Sequence, residues 1–296
     1  MRDEELRQKA EGETTLLNRF SAGHPSSFIL QSEVPVPKIP VADGEIHYEE
    51  AGRGQPLIFV SGLGGTGSYW RPQVPAFSAR FRVITYDHRG TGSSDRLQRA
   101  FSIDQMTREL VALMDALKIE RAHIVGWSTG GAIGQTLAIE QPQRIARLVL
   151  CSTWTHCDPW FRRLFEARRE VLQKGGSELY TAFFPLWVYP PDYVNAHDPG
   201  ISEEVRQAVA GAPPVEVVMG RIDALLAFDR RAGLPRIKTP TLVVASENDY
   251  VIPSYHAEAL ARAIPGARLA MIRGGGHANT ATRAAEFNQI VLEFLG

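Results

Sequence analysis

Apolar positions in this chain fall into two alternating patterns. Short runs read as strands: Leu57 to Val60, Arg82 to Tyr86, Ala122 to Val125, Leu148 to Cys151, Thr241 to Ala245 and Arg268 to Ile272. Leu57 to Val60 is continuously apolar, as expected of a strand covered on both faces. Between the runs the period becomes helical. Ser102 and Gln105 form a capping box before Ile103, Met106, Leu110, Met114 and Leu117, and similar patterns span Ala132 to Gln141 and Tyr255 to Ile264. Phe287, Ile290, Val291 and Phe294 mark a closing helix. Ahead of the first run, Lys38 to Val41 and Glu45 to Glu49 flank Asp43-Gly44 as the arms of a hairpin. This order predicts an α/β fold: a mostly parallel central sheet with an antiparallel start, joined by right-handed crossovers and flanked by helices.

The alternation breaks between about Thr153 and Lys238, where helical patterns dense in aromatics replace strands, with Trp154, Phe165, Tyr180, Trp187 and Tyr193 among them. The expected organisation is an N-terminal arm over residues 1–35, a core over 36–153 and 239–296, and a helical cap inserted at 154–238. Most of the cap's rings form its own core, and a few line a pocket. The arm is charged, then rich in Gly, Pro and Ser, and is assigned no chemistry.

Composition narrows the partners. The 296 residues carry a net charge of -1 with Lys and Arg scattered, which gives no electrostatic footprint for nucleic acid and points to a small-molecule substrate. Arg162, Arg163, Arg168 and Arg169 form the densest basic cluster, but Glu166 and Glu170 interleave, as on a solvated helix face. Cys151 and Cys157 are too few for a disulfide framework or a zinc site, and read as reduced thiols. The first residues lack the apolar core of a signal peptide, and no run approaches the length of a membrane span. The expected location is the cytoplasm, away from the membrane, and a homodimer stays open.

The chemistry centres on Gly126-Trp127-Ser128-Thr129-Gly130, which follows a strand and opens a helix. A serine on so tight a turn needs glycine on both sides, and its hydroxyl is lifted clear of the sheet. Serine is a weak nucleophile at neutral pH. It needs a base, and the base needs an acid to fix its tautomer. His277, after Gly274-Gly275-Gly276, is the candidate base, and Asp249, after the strand Thr241 to Ala245, the candidate acid. The amides of Leu63 and Thr129 are the candidate oxyanion donors. Trp127, Trp154 and Trp187 are the candidate pocket rings.

A rival reading uses the same glycine loop. Gly62, Gly64 and Gly67 satisfy GxGxxG, with Asp87 where a ribose-binding carboxylate belongs, which suggests a nicotinamide-dependent oxidoreductase. Against it, Trp70-Arg71-Pro72 is a poor opening for the long helix a pyrophosphate requires. His88, in the Asp87-to-Ser94 turn, is read as a turn or surface residue.

With Ser128, Asp249 and His277 in that order after successive strands, the chain resembles the α/β-hydrolase superfamily from about Val36 to its end. Ser61 to Trp70, Tyr86-Asp87-His88-Arg89-Gly90-Thr91-Gly92 and Gly275-Gly276-His277-Ala278 look like the carbamate or aminoacrylate hydrolases of the Rut pyrimidine-degradation pathway. Ring-cleavage lactonases and C–C bond hydrolases are similar but more distant. Two departures stand out: the arm before Val36, and Trp127 in place of a histidine often found before the nucleophile. The resemblance implies an enzyme cleaving a small ester, lactone, amide or carbamate through an acyl-enzyme, without metal or organic cofactor. Alternatives on the same fold are a C–C bond hydrolase and a cofactor-free haloperoxidase-like activity.

Overall fold

The computed structural model describes residues 37–41, 44–96 and 101–296. The expected N-terminal arm and the turn residue Asp43 lie outside them. Among the described residues eight strands form one sheet: β1 (Lys38–Val41), β2 (Gly44–Ala51), β3 (Gln55–Val60), β4 (Phe81–Tyr86), β5 (Ala122–Trp127), β6 (Ile145–Cys151), β7 (Thr241–Ser246) and β8 (Arg268–Ile272). Their spatial order is β1-β2-β4-β3-β5-β6-β7-β8. β1 with β2 and β2 with β4 are antiparallel, and every other pairing is parallel.

Side chains alternate across a strand, so each strand feeds both faces. Leu57 and Phe59 of β3 join Phe77 of α1 (Val74–Ser78) and Phe287, Val291 and Phe294 of α8 (Ala284–Leu295) on one face. Ile58 and Val60 meet Leu110 of α2 (Ile103–Ala116), Leu137 of α3 (Thr129–Glu140) and, further along the sheet, Leu260 of α7 (Tyr255–Ala263) on the other. Each fully buried side chain of this kind stabilises the fold by about 1.5–3 kcal/mol relative to exposure. Helix α2 starts as the capping box predicts, with the Ser102 hydroxyl accepting from the Gln105 N–H. From Thr129 to Ala138 helix α3 is buried all round, which accounts for its weakly amphipathic sequence.

Between β6 and β7 the chain forms α4 (Pro159–Val188), α5 (Pro191–Ala210) and α6 (Val215–Leu226), as the break in alternation predicts. Asp158 caps α4 by accepting from the Phe161 N–H at 2.8 Å. Within α4 the backbone kinks at Gly176, whose φ of 72° is open to glycine at little cost. Arg168 departs from the solvated face expected of its cluster. Its guanidinium is buried against Phe165, Tyr180 and Trp187 and donates to the Tyr180 hydroxyl at 2.7 Å, while its neighbours behave as expected: Arg162 pairs with Glu166 and Arg169 with Asp223. The reason is position, since α4 turns that one basic residue inward among rings that take a cation on their faces. Among the described residues no helix is long and apolar enough to cross a membrane.

One buried histidine gives the sheet an acid-sensitive point. His123 of β5 lies edge-on to Phe81, and burial first, then the charges of Arg147 and Arg121, push its pKa down to about 4. Below the ordinary histidine value of 6.5 the unfolded chain therefore takes a proton here that the folded chain refuses. Stability should fall as the pH drops from 6.5 towards 4. His123→Phe keeps the ring contact and should flatten that part of the Tm-against-pH curve. An unchanged slope would assign the acid sensitivity to other groups.

Candidate active site

Ser128 sits at the turn from β5 into α3 with φ 53° and ψ -115°, a left-handed conformation that costs about 1–3 kcal/mol in a non-glycine residue. The turn is fastened on three sides. The Ser128 N–H donates to the Cys151 carbonyl at 2.9 Å, and the Ser128 carbonyl accepts from the Gly131 N–H at 2.9 Å and the Thr153 hydroxyl at 2.8 Å. Close approach explains the flanking glycines. A Cβ on Gly130 would stand 2.0 Å from the Val60 carbonyl oxygen, and one on Gly126 would stand 2.3 Å from that of Gly130.

The structure brings His277 and Asp249 to this turn. His277 Nε2 lies 3.1 Å from Ser128 Oγ, and His277 Nδ1 lies 2.8 Å from Asp249 Oδ2. The other carboxylate oxygen, Oδ1, accepts from the Val251 and Ile252 N–H groups at 2.9 and 2.8 Å, so Asp249 cannot swing away. A carboxylate at Nδ1 places a proton there and leaves the Nε2 lone pair for the serine. All three side chains are buried. Asn248 ties the acid loop to the base loop by accepting from the Gly276 N–H at 2.9 Å. Behind them Asn279 donates to the hydroxyls of Ser152 and Ser246, linking the His277 loop to β6 and β7.

The loop after β3 lies directly against the nucleophile: a Cβ on Gly62 would come within 3.2 Å of Ser128 Cβ. The amides of Leu63 and Thr129 donate to no acceptor among the described residues, and Thr129, as the first residue of α3, has no intrahelical acceptor. Two unengaged N–H groups beside a serine suit an oxygen that gains negative charge.

A residue that the sequence reading missed adjoins this loop. Arg221 of α6 donates from Nε to the Leu63 carbonyl at 2.9 Å and from Nη2 to the Gly62 carbonyl at 3.3 Å. The same Nη2 lies 2.9 Å from His88 Nδ1. His88 is therefore not a surface residue. It is buried, and burial, with the Arg221 charge second, holds its pKa well below the ordinary range, so its Nδ1 accepts as a neutral ring nitrogen. Burial likewise lowers the Arg221 guanidinium to about 10, which leaves it charged at neutral pH. No local pattern marks Arg221, because its partners lie more than 130 positions earlier in the chain.

Of the three candidate pocket rings, Trp127 is wedged against Tyr69, stacked at 4.1 Å, and donates its indole N–H to the His277 carbonyl at 2.9 Å. It braces the base loop from behind. Tyr69 is fixed in turn by a hydrogen bond to the Thr280 hydroxyl. Trp154 is 0% exposed and offers no surface to a pocket, because Phe161 stacks on it at 4.7 Å and Phe228 closes its edge at 5.7 Å. Trp187 is half-buried between Tyr180, Phe183 and Arg168. Two other groups are accounted for. Asp158 faces Tyr255, whose hydroxyl donates at 2.6 Å, and His256 at 3.3 Å. Asp87 is spent on the N–H groups of Gly67 and Ser93 and on His47, and only a short 3-10 turn follows the glycines, so the dinucleotide reading of Gly62, Gly64 and Gly67 fails. Among the described residues no three His, Cys, Asp or Glu side chains are grouped to hold a metal ion.

Comparison with known proteins bears on the fold. The family model for the alpha/beta hydrolase fold matches residues 55–283. The chain is 39% identical over 254 residues to a protein of Azorhizobium caulinodans provisionally named carbamate hydrolase RutD, covering 86% of this chain and 96% of that one. It is 40% identical over 252 residues to a protein of the same provisional name from Caulobacter sp. strain K31, covering 85% and 94%. Among solved structures it resembles the enol-lactonase of Burkholderia xenovorans LB400, with a TM-score of 0.80, 32% identity, and coverage of 88% of this chain and 99% of that one.

Proposed function

The chain belongs to the alpha/beta hydrolase fold family, and from that premise we propose that it is a serine hydrolase cleaving a small ester, lactone, amide or carbamate through an acyl-enzyme. The observation that carries this is the unbroken chain of contacts from Ser128 Oγ through both ring nitrogens of His277 to Asp249. Ser128 Oγ attacks the substrate carbonyl while its proton passes to His277 Nε2. Asp249 stabilises the resulting imidazolium. The carbonyl oxygen, now an oxyanion, is held by the Leu63 and Thr129 N–H groups. Collapse expels the leaving group, which takes the proton from His277. Water then attacks the acyl-Ser128 ester, with His277 as its base, and releases the acid. Carbamate chemistry is supported by the names of the two relatives, and lactone chemistry by the likeness to the enol-lactonase.

Residues 154–238 act in this reading as a cap. Support comes from the contacts that the helical segment makes with the loops around Ser128: Arg221 with Gly62 and Leu63, and the Val188 carbonyl with the Ala278 N–H at 3.1 Å. A segment anchored to both loops leaves room for a compact substrate and little for a long chain. A methylene that must displace packed side chains costs about 1–3 kcal/mol. Along p-nitrophenyl esters from acetate to palmitate, kcat/KM should therefore peak at short acyl groups, and small carbamates and lactones should be turned over. A rise towards palmitate would mean that the segment opens like a lipase lid.

A further inference from the structure

The guanidinium of Arg221 holds two successive peptide groups of the loop beside Ser128, by the Gly62 and Leu63 carbonyls. We propose that Arg221 is a positioning residue for oxyanion binding: by gripping the Gly62 carbonyl it turns and polarises the Leu63 N–H towards the oxygen formed at Ser128. The inference rests on the reading of Leu63 as an oxyanion donor.

The first part of the argument is geometric. The Gly62 C=O and the Leu63 N–H belong to one peptide group, and no peptide bond among the described residues is cis. In a planar trans peptide the two point in opposite directions. Fixing the carbonyl on one side therefore fixes the N–H on the other. The Gly62 oxygen has two holders, Arg221 Nη2 and the Gly65 N–H at 3.1 Å, while Arg221 Nε clamps the next carbonyl along. The loop needs such a clamp, because Gly62-Leu63-Gly64-Gly65 has little side chain to pack, and a Cβ on Gly64 would meet nothing within 4 Å.

The second part is electrostatic. Arg221 is 1% exposed, and no carboxylate among the described residues pairs with it. Glu109, the acid whose charge reaches it, is engaged by Arg89. His88 takes one donor as a neutral acceptor and cancels no charge. The positive field therefore falls on the two carbonyls, and a peptide whose oxygen faces a cation donates more strongly from its N–H.

The test compares Arg221→Met and Arg221→Lys with Arg168→Met, which removes another buried guanidinium whose partners Phe165, Tyr180 and Trp187 all lie within α4. Ser128→Ala is run beside them. Each folded variant, checked by circular dichroism, is measured for kcat and KM on p-nitrophenyl acetate and for inhibition by n-butylboronic acid, which forms a tetrahedral adduct on a nucleophilic serine. Losing a whole oxyanion donor costs about 10²–10³ in kcat, so misplacing one should cost Arg221→Met about 10–10² with KM little changed. Boronate affinity should fall in parallel, and Arg168→Met should do neither. Lysine keeps the charge but cannot grip both carbonyls, so Arg221→Lys should fall between wild type and Arg221→Met, and it carries the test if the methionine variant does not fold. Wild-type kcat and boronate affinity in either folded Arg221 variant would overturn the proposal while leaving the Ser128 reading intact. Activity surviving in Ser128→Ala would instead remove the catalytic reading on which the proposal stands.

Discussion

Ser128→Ala should lower kcat by about 10⁶, the loss expected when a triad nucleophile is removed and its base is left without a partner. The magnitude follows from how the parts depend on one another. His277 Nε2 has the Ser128 hydroxyl 3.1 Å away, and once that oxygen is gone the imidazole has no protein proton to take. The fold should survive the change. The positive φ of Ser128 is held by backbone bonds to Cys151 and Gly131 and by the Thr153 hydroxyl on the Ser128 carbonyl, none of which involves its side chain. Burst kinetics and steady-state turnover of p-nitrophenyl acetate on a variant with unchanged Tm provide the check. A loss of only a few-fold would move the nucleophile elsewhere.

Asp249→Asn should come next, with a loss of about 10⁴ in kcat, because the substitution changes the tautomer of the base and not its position. Asparagine can keep its oxygen on the Val251 and Ile252 N–H groups, where Asp249 Oδ1 now accepts. Its NH₂ then faces His277 Nδ1, which must accept, so the imidazole proton moves to Nε2 and opposes the Ser128 hydroxyl. Asp158→Asn should leave kcat little changed, since Asp158 is engaged by Tyr255, His256 and the Phe161 N–H. Asparagine keeps an oxygen for the Phe161 N–H, so the α4 cap survives, and the substitution removes only the carboxylate oxygen to which Tyr255 donates. The opposite ranking of the two variants in kcat would place the acid at the start of the helical segment.

Much of this arrangement was legible in the sequence wherever it is written locally. Short continuous apolar runs against a period of 3.6 located the strands and helices, and Gly126-x-Ser128-x-Gly130 could be read because a strand and a helix must meet there at a close approach, the same one that leaves no room for a Cβ on Gly130. Asp249 and His277 follow successive strands of a parallel sheet, whose carboxyl ends gather on one side. Long-range polar contacts were not legible. His88 is in a turn as read, but its burial was not legible because its partner, Arg221, lies on a helix far along the chain, and Arg168 looked solvated because its aromatic partners Tyr180 and Trp187 are brought to it only by the folding of α4. Trp127 was expected on a pocket wall for its place beside the nucleophile, whereas its indole N–H, which cannot stay unpaired at low cost when buried, is used on the His277 carbonyl.

The central claim, that the reaction passes through a covalent bond to Ser128, is tested most directly by intact-mass measurement and peptide mapping after treatment with a small fluorophosphonate. One adduct per chain on the peptide that contains Ser128, appearing in step with the loss of activity and absent from Ser128→Ala, is the result expected. An adduct on any other residue, or labelling that persists in Ser128→Ala, would contradict it.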